Sequence, residues 1–495
     1  MRVSSPLFFM RNTTSMMEQQ ASLSDKNLHL SSTKRVINGS DDPVAIATIQ
    51  RLKQDLSVGE QYIKNGETAK SSNGLSDTAL SQSTHIIQRV RELMVSGSNG
   101  TMNEGNREAI AIELAGLREE LMGVANTKDG NNQYIYGGYE VDVAPFQKNE
   151  FGEVVYHGDN GEREYRIGTG VLVQGNDSGA KIFMDIPEGN GTFVSELGAG
   201  NMGGGVVSAG HVVDKDAARD FLDQDYTISI NTAEEGPEYS VYGVKEQAVK
   251  GNAKVTISSV DLEAGGINSV NPNVNSTMGI QFTETSPGSK QFNVAINGTS
   301  ASATFDANNA DPQLLNINGI TLEVDGLPAD GDNYGLTKFI APTPYEDEQA
   351  IAFNGIKTQI KGDVENLDSF TLRQSEEKDI FASIQTAIDA LRMPGTDKTT
   401  LAKQNTAFDM SLLQIDGALD KVSNVQSAVG ARLRSIDNQY ESTLDFNLTI
   451  QTTLSSLEDL DMAAAISEYQ QKHSMLEVSQ QTFVQLQKLS LFNHM

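Results

Sequence analysis

The chain has 495 residues, no cysteine, no tryptophan and a formal net charge of −29. Its length is enough for about three domains, and without cysteine it can form no disulfide bond, cysteine nucleophile or cysteine-ligated metal site. A surface with this much negative charge repels nucleic acid and anionic membranes, so we expect neither nucleic-acid binding nor membrane insertion.

The negative charge is spread unevenly along the chain. Residues 1–53 contain seven basic and four acidic side chains, and residues 462–495 contain two of each. The two ends therefore carry none of the negative excess, and copies of the chain could pack there without strong repulsion; ordinary scatter of charge is the alternative explanation. The apolar run at 6–10 is too short for the core of a signal peptide, so we expect export without a cleaved signal.

The first and last helical segments each carry one narrow apolar stripe. The first segment runs from about Thr13 to Leu30, and the last continues to the C terminus. A helix cannot bury such a stripe alone, so we expect the terminal helices to pair with each other or with further copies of the chain. Apolar residues follow heptad spacing at Phe9, Met16, Leu23, Leu30, Met462, Tyr469, Leu476 and Phe483.

The first terminal helix is followed by strong signals for a new helix. Asp41 and Asp42 are suited to capping, and Pro43 to the first helical turn. A long helical pattern then continues to about residue 126, and a second one starts at Asp379 and runs to the C terminus.

The middle of the chain, from about residue 140 to residue 376, alternates short apolar runs with glycine, asparagine and aspartate, which is typical of strands and turns. The segment that begins at Asn318 is repeated thirty-six positions later at Asn354, and the run at Tyr226 resembles the run at Ile280. The order of these pieces predicts one β domain nested inside another. Hairpins that resemble each other by chance remain the alternative.

These patterns predict a multidomain α+β fold in which the N- and C-terminal helices pair as a coiled coil and a helical bundle, with β-rich domains inserted in the middle. The expected domains are a terminal coiled coil (1–42 with 455–495), a helical bundle (43–140 with 376–454), a β domain (141–243 with 347–375) and a nested second β domain (244–346).

No motif indicates catalysis, a cofactor or a metal ion. Residues 198–203 fit the glycine pattern of a dinucleotide-binding loop, but Gly204 and Gly205 follow where that loop needs a helix, and glycine is a poor helix former. The six histidines do not stand at metal-ligand spacing. We therefore expect no enzyme: no catalytic residue, no cofactor and no metal site.

Four segments resemble the signatures of one family. Residues 30–43, LSSTKRVINGSDDP, resemble the N-terminal signature of flagellins, with Thr33 where that family usually has glycine. Residues 88–93, QRVREL, resemble the end of the first long flagellin helix. Residues 429–433, VGARL, and 456–461, SLEDLD, resemble the C-terminal flagellin signatures. The chain is thus identified as a member of the flagellin superfamily.

A further motif is similar to one branch of that superfamily. Residues 134–139, YIYGGY, with Pro145 and Phe146, resemble a motif of the hook-associated protein 3 family, which joins the flagellar hook to the filament. The resemblance implies a structural protein that acts as a mechanical adaptor. A filament flagellin and a flagellin-like scaffold that displays an enzymatic β domain remain the alternatives.

The resemblance also implies partners and a location. The partners would be a ring of like subunits, hook-associated protein 1, flagellin, an export chaperone and the flagellar export apparatus, and the location would be the extracellular flagellum. Assembly or partner contacts are expected at Met16, Leu23, Leu30, Arg35, Asp41, Asp42, Pro43, Arg89, Arg91, Glu92, Gly137, Gly138, Gly430, Arg432, Asp459, Asp461, Tyr469, Leu476 and Phe483.

Overall fold

The computed structural model of the protein describes residues 5–98, 102–218, 224–234, 236–261, 274–296, 302–309, 311–395 and 397–492. The predicted α+β class is confirmed, because helices occupy both ends of the sequence and strands occupy its middle. The chain divides into two compact units: Met1–Ser71, Glu164–Gly175 and Arg432–Met495 form the first, and Ser72–Arg163 with Asn176–Ala431 form the second. The expected four-domain boundaries stay a prediction.

The described residues contain six α-helices and one π-helical turn, Ala180–Met184. Capping side chains explain two of the helix starts. Asn103 accepts the N–H of Asn106 at 2.8 Å, and Asp379 accepts the N–H of Ala382 at 2.7 Å. The helices are α1 (Ser5–Ser32), α2 (Pro43–Gly97), α3 (Glu104–Ala125), α4 (Ile380–Arg392), α5 (Lys398–Glu458) and α6 (Met462–Phe492).

In the first unit, α1 and α6 run antiparallel. Lys472 donates to Ser22 at 2.8 Å and Lys26 lies 3.1 Å from Glu468, so rising numbers on one helix meet falling numbers on the other. A hairpin of β3 (Glu164–Gly168) and β4 (Val171–Gln174) packs on helical residues of the same unit. Its small core consists of Ala69, Ile167, Val173 and Ile436.

In the second unit, α3 packs against α4 beside an aromatic cluster. The ring of Phe146 lies 5.5 Å from that of Phe183 and 5.6 Å from that of Phe381, and Tyr136 lies 5.7 Å from Phe183. Edge-on and tilted aromatic pairs of this kind add stability beyond the burial of their area. The cluster fixes the exit from the helical sequence into the strands.

The strands of the second unit form one large sheet and several small ones. The large sheet has the order β14-β13-β12-β17-β10-β9-β20-β6, and the smaller ones include β11-β16-β15 and β18-β19-β7, with β8 also on β19. The strands outside the β3–β4 hairpin are β1 (Phe146–Lys148), β2 (Val154–Tyr156), β5 (Ile186–Pro187), β6 (Phe193–Leu197), β7 (Val206–Val207), β8 (His211–Val212), β9 (Gln224–Ala233), β10 (Gly236–Ala248), β11 (Lys254–Val260), β12 (Thr277–Glu284), β13 (Gln291–Ile296), β14 (Ser302–Asp306), β15 (Gln313–Ile317), β16 (Ile320–Asp325), β17 (Asn333–Pro344), β18 (Ala350–Phe353), β19 (Ile356–Lys361), β20 (Ser369–Gln374) and β21 (Glu377–Lys378).

Two hydrophobic cores lie in this β region. We call the one with its buried residues between 193 and 241 and between 351 and 372 the outer core. The inner core has all its buried residues between 242 and 336. The inner core is thus contributed by a continuous stretch of chain that interrupts the sequence of the outer one.

The strands around the two cores pair in matching registers. Ile360 pairs with Val207 in the outer part, and Val324 pairs with Val255 in the inner part. The paired positions in β19 and β16 lie thirty-six residues apart, which is the spacing of the sequence repeat. Each repeat contains an Asn-Gly turn with positive φ, 50° and 89° at Asn318-Gly319 and 42° and 75° at Asn354-Gly355, as two-residue hairpins require.

A buried aspartate occupies the same place in each repeat. Asp332 is 0% exposed and accepts the N–H groups of Lys250 and Ala329, both at 2.7 Å. Asp368 is 1% exposed and accepts those of Met202 and Glu365, both at 2.8 Å. Each carboxylate therefore satisfies backbone donors from two loops that would otherwise be buried and unpaired.

Candidate assembly site

In the first unit, the segment that connects α1 to α2 meets the segment that connects α5 to α6. We call this meeting point the joint. Arg35 donates its backbone N–H to the carbonyl of Glu458 at 2.7 Å, and Leu460 donates to the carbonyl of Thr33 at 3.0 Å. The Arg35 guanidinium donates to the carbonyl of Leu457 at 2.8 Å. These bonds join the chain after α1 to the chain before α6.

A buried carboxylate lies at the centre of the joint. The side chain of Glu458 is 9% exposed, contacts the Lys34 ammonium and lies 3.0 Å from that of Lys53. Burial opposes ionisation of Glu458, but hydrogen bonds and charges from the two lysines outweigh it and hold its pKa below the usual value. Glu458, Lys34 and Lys53 were not among the predicted residues, because no local pattern connects positions 405 residues apart in sequence.

The end of α1 adopts a backbone conformation that suits glycine. Thr33 has a φ of 57°, in the left-handed region where a side chain on Cβ is disfavoured. Helices often end on such a residue, and it is usually glycine. The position at which the sequence departs from the flagellin signature is therefore a strained one.

Two aspartates organise the start of α2. Asp41 accepts the backbone N–H groups of Ile37 at 2.9 Å and Asn38 at 2.8 Å, and the bonds from Asn38 and Ile37 lower the pKa of Asp41. Asp42 accepts the N–H of Ala45 at 2.9 Å, as a capping residue does. The predicted capping role thus matches the hydrogen bond of Asp42, whereas Asp41 holds the loop before the helix instead of capping it.

The same arrangement recurs at the start of α6. Asp461 accepts the N–H groups of Ala463 at 3.0 Å and Ala464 at 3.2 Å. Asp459 forms an isolated bridge with Lys34 and accepts the hydroxyl of Ser455. A small core closes the joint; its buried members are Val36, Ala45 and Ile49, and Ile46, Leu454 and Leu457 pack against them.

The facing sides of α1 and α6 alternate apolar and polar residues. The predicted apolar residues lie at shielded positions: Leu476 is 8% exposed, and Met16, Leu23, Leu30, Tyr469 and Phe483 are half-buried. Between them in the same stripe lie Asn12, Gln19, Lys26, Lys472 and Ser479, which are also half-buried. Met462 is exposed, and the side chain of Phe9 lies outside the described residues. Polar residues at such positions reduce the apolar area that the pair can bury.

Other apolar residues of the same helices point away from the pair. On α1 they include Met10, Met17 and Leu28, which are 72%, 65% and 50% exposed. On α6, Met475 is 54% exposed, Val478 61% and Val484 48%. We call these six residues the outer apolar face. The heptad pattern missed them because they lie off its stripe.

The remaining predicted residues make contacts within their own units. Arg89 lies 2.7 Å from Glu113 and 3.1 Å from Glu92, and Arg91 lies 2.5 Å from Asp416. These exposed pairs each contribute little to stability. Pro43 begins α2 and is exposed, Arg432 is half-buried, and a Cβ added at Gly430 would meet nothing within 4 Å.

Gly137 and Gly138 lie in the turn that leads from the helices into the strands. Gly138 has a φ of 71°, and a Cβ added there would lie 2.1 Å from Oδ1 of Asp159. A Cβ added at Gly137 would lie 2.4 Å from the carbonyl oxygen of Glu140. Tyr139 donates its N–H to the same Asp159 oxygen at 2.9 Å. The turn therefore requires glycine at both positions.

The described part of the chain contains no cluster of three or more His, Cys, Asp or Glu side chains able to hold a metal ion. Among its helices, none is long and apolar enough to cross a membrane.

Family models of two helical regions match this chain. The bacterial flagellin N-terminal helical region matches residues 3–140, and the bacterial flagellin C-terminal helical region matches residues 412–495. Both regions stand in their expected order at the two ends, and together they contain the joint and the paired helices. The chain is thus similar to the flagellin superfamily at both of its ends.

Within the superfamily the chain is similar to hook-associated proteins. It is 33% identical over 186 residues to flagellar hook-associated protein 3 of Salmonella typhimurium, a match covering 38% of this chain and 58% of that relative. The crystal structure of flagellar hook-associated protein 3 from Legionella pneumophila matches with a TM-score of 0.61 at 26% identity, over 83% of this chain and 98% of the other. Bacillus subtilis flagellin is 31% identical over 137 residues, covering 27% of this chain and 45% of that flagellin.

Proposed function

We propose that this protein is a structural component of the bacterial flagellum that joins the hook, through hook-associated protein 1, to the flagellin filament. In this role like subunits form a ring, and the ring acts as a mechanical adaptor between two helical assemblies. The similarity to hook-associated protein 3 supports the location, and the observation that carries an assembly role is the outer apolar face of α1 and α6.

The outer apolar face supports assembly on physical grounds. Six large apolar side chains, each about half exposed or more, stand on two neighbouring helices. Apolar side chains that the chain itself does not bury are available for contacts with other molecules. The pair cannot bury these residues itself, because its facing stripe is already occupied. Like subunits, hook-associated protein 1 and flagellin would cover them.

The charge distribution also favours assembly through the two ends of the chain. The segment 1–53 has a net charge of +3 within a chain of net charge −29. Copies of the chain that meet through their ends bring little like charge together, whereas contacts through the acidic middle would be opposed by repulsion. The terminal helices are thus the part of the chain at which many copies can gather.

The proposed role also includes a route of export and a location. The protein would leave the cell through the flagellar export apparatus, carried there by an export chaperone and without a cleaved signal peptide, and would reside in the extracellular flagellum. Its role requires no catalysis, since the relatives named above are structural proteins of the flagellum.

A deletion strain tests the function. Without this protein, cells should assemble hooks that bear no filaments and should shed flagellin into the medium, and a plasmid copy should restore filaments. Normal filaments in the deletion strain would reject the junction role. Filaments that are absent while no flagellin reaches the medium would instead indicate a filament flagellin.

A further inference from the structure

Two long strands join the part of the chain that builds the inner core to the rest of the β region. We call residues 242–336 the inner module, because they contain all the buried residues of that core. Strands β10 and β17 run from the outer core into the inner one, and their pairing shifts register between Tyr239 and Val241 and again between Val241 and Tyr242. Val241 belongs to the outer core and Tyr242 to the inner one. Such bulges bend a strand, so β10 and β17 form a hinge at the boundary between the cores.

The inner module also contacts strand β9 of the outer core. Its strand β11 is at the edge of the sheet β11-β16-β15. Thr227 of β9 donates its hydroxyl to the carbonyl of Ile257 at 3.0 Å, and Ser229 of β9 accepts the N–H of Val260 at 3.2 Å. Thr227 is 2% exposed and Ser229 0%. Two hydroxyls of the outer strand thus satisfy backbone groups at the edge of β11, where no further strand pairs.

The contact between β9 and β11 is polar. The buried apolar side chains of β9 belong to the outer core and those of β11 to the inner core, and the two cores are separate. Lys254 of β11 adds an ion pair with Asp225 of β9 at 3.1 Å, and the lysine side chain is half exposed. Single hydrogen bonds and exposed ion pairs contribute little net free energy. The contact can therefore open while both cores stay folded.

A charged cleft of about 290 Å³ lies beside this contact, between the outer strands and the inner module. Arg373 lies 2.8 Å from Glu196 and also pairs with the buried Glu188. Strand β15, the other neighbour of β16, has no charged residue. The charged residues of the cleft are Glu196 of β6, Asp225 of β9 and Arg373 of β20 on the outer wall, and Lys254 of β11 with Glu323 and Asp325 of β16 on the inner wall.

Glu323 links the charge of the cleft to its closure. It is half-buried on the inner wall. Burial raises the pKa of Glu323, and the charges of Asp325 and Glu196 add to the rise. Glu196 belongs to the opposite wall, so opening moves its charge away from Glu323 and admits water. The closed form therefore holds the proton more tightly, and its advantage is lost as the pH rises through the raised pKa.

We propose that the inner module opens from the outer strands as the pH rises, bending at the bulges of β10 and β17, and closes again as the pH falls. Loss of the proton leaves Glu323 with a negative charge beside Asp325 and opposite Glu196. The polar contacts of Thr227 and Ser229 with β11 then separate. Opening exposes the edge of β11, whose backbone groups become accessible to water.

Hydrogen exchange of the full-length protein tests the proposal, because the N–H of Val260 is bonded across the contact. Its protection factor, corrected for the intrinsic effect of pH on exchange, should fall severalfold from about pH 5 to about pH 8. Val294 of β13, which pairs with Phe282 within the inner module, is the reference and should keep its protection. Equal protection of Val260 at both pH values overturns the proposal. An equal decline at Val294 also overturns it, because the whole module would then unfold.

Variants establish which carboxylates are responsible. Glu323→Gln keeps a hydrogen-bonding side chain without the charge, so protection of Val260 should no longer fall with pH. Glu196→Gln, at an exposed position of the opposite wall, should reduce the fall and tests the cleft even where Glu323→Gln is unstable. Glu346→Gln, which is exposed and outside the cleft, is the matched control and should behave as the wild type. A wild-type fall in both Glu323→Gln and Glu196→Gln overturns the proposal.

Discussion

The β region and the terminal helices differ in how completely they bury their side chains. In the β region, Ile228, Phe282 and Leu322 are 0% exposed, and the buried aspartates satisfy the surrounding backbone donors. In the α1–α6 pair, most facing residues are only half-buried, polar residues interrupt the stripe, and large apolar side chains stand outside it.

This difference indicates that the β region provides folding stability, whereas the terminal helices provide surface for contacts with other molecules. Burial of apolar area is the main source of folding free energy, so the β region should be stable by itself. A helical pair with a partly polar stripe gains less from folding, and it retains apolar surface for other molecules. Isolated helices with few tertiary partners are marginal in water.

The largest expected effect concerns the matched aspartates of the two β repeats. Asp332→Ala and Asp368→Ala each leave several buried N–H groups without an acceptor, so each should lower the free energy of unfolding by about 3 kcal/mol. Urea unfolding of the full chain measures the loss, with the exposed Asp420→Ala as the control. A loss below that of the control for either variant would contradict the structural equivalence of the repeats.

The next effect concerns the turn into the β region. Gly138→Val places a branched side chain at a positive φ against Asp159, and the strain should cost roughly 1–3 kcal/mol. Gly130→Val is the matched control, because a Cβ at Gly130 would meet nothing within 4 Å. Thermal melting of both variants provides the measurement. Equal melting temperatures would show that the turn adapts without strain.

Acid should change the stability contributions of Glu323 and Glu458 in opposite directions. Burial raises the pKa of Glu323 in strand β16, and the charges of Asp325 and Glu196 add to the rise. Protonation therefore favours the folded form, and stability from this group is lost as the pH rises through its raised pKa. Glu458 has a lowered pKa, so its contribution is present above the ordinary glutamate pKa of about 4.3 and is lost as the pH falls through the folded value.

Hydrogen exchange at a series of pH values separates these two contributions. Protection of the backbone at Arg35 and Leu460 should decline as the pH falls below about 4, while that of β16 should not decline in parallel. Glu458→Gln should reduce the pH dependence at the joint, and Asp41, whose pKa is also lowered, should retain the rest. An unchanged dependence in that variant would show that another group controls it.

The smallest expected effect is a gain. Thr33→Gly relieves the left-handed strain at the end of α1 but increases the freedom of the unfolded chain, so we expect a net stabilisation of the joint of about 0.5–1 kcal/mol. Hydrogen exchange at the joint measures it, and Thr33→Ala, which retains a Cβ, should give less. A loss of protection in Thr33→Gly would mean that the threonine side chain contributes more than its strain costs.

Local signals in the sequence predicted much of this structure. Heptad spacing predicted the half-buried stripe of the terminal helices, and the Asp-Asp-Pro sequence predicted the start of α2. The repeat at Asn318 and Asn354 predicted one β domain nested inside another, which stays a prediction, and in the structure both copies contain an Asn-Gly turn with positive φ. Each of these signals lies within a short window of sequence.

Features that depend on distant residues were not predicted. Glu458 meets Lys34 and Lys53 only when both ends of the chain are folded. Ser195 of β6 and Gln414 of α5 likewise line one cavity, and no periodicity connects those positions. The outer apolar face was missed for a different reason: a sequence does not distinguish an apolar residue that packs within the chain from one that awaits a partner.

A single substitution tests most directly whether the outer apolar face carries the function. Leu476 is less suitable for this test than Val478, because Leu476 is nearly buried and Leu476→Asp would disturb the α1–α6 pair itself. Val478→Asp, expressed in the deletion strain, should give a protein with an unchanged melting temperature that fails to attach filaments, whereas Ser474→Asp, which adds the same charge at an exposed polar position, should restore them. Normal filaments and swimming with Val478→Asp would contradict the account and direct attention to the acidic β region instead.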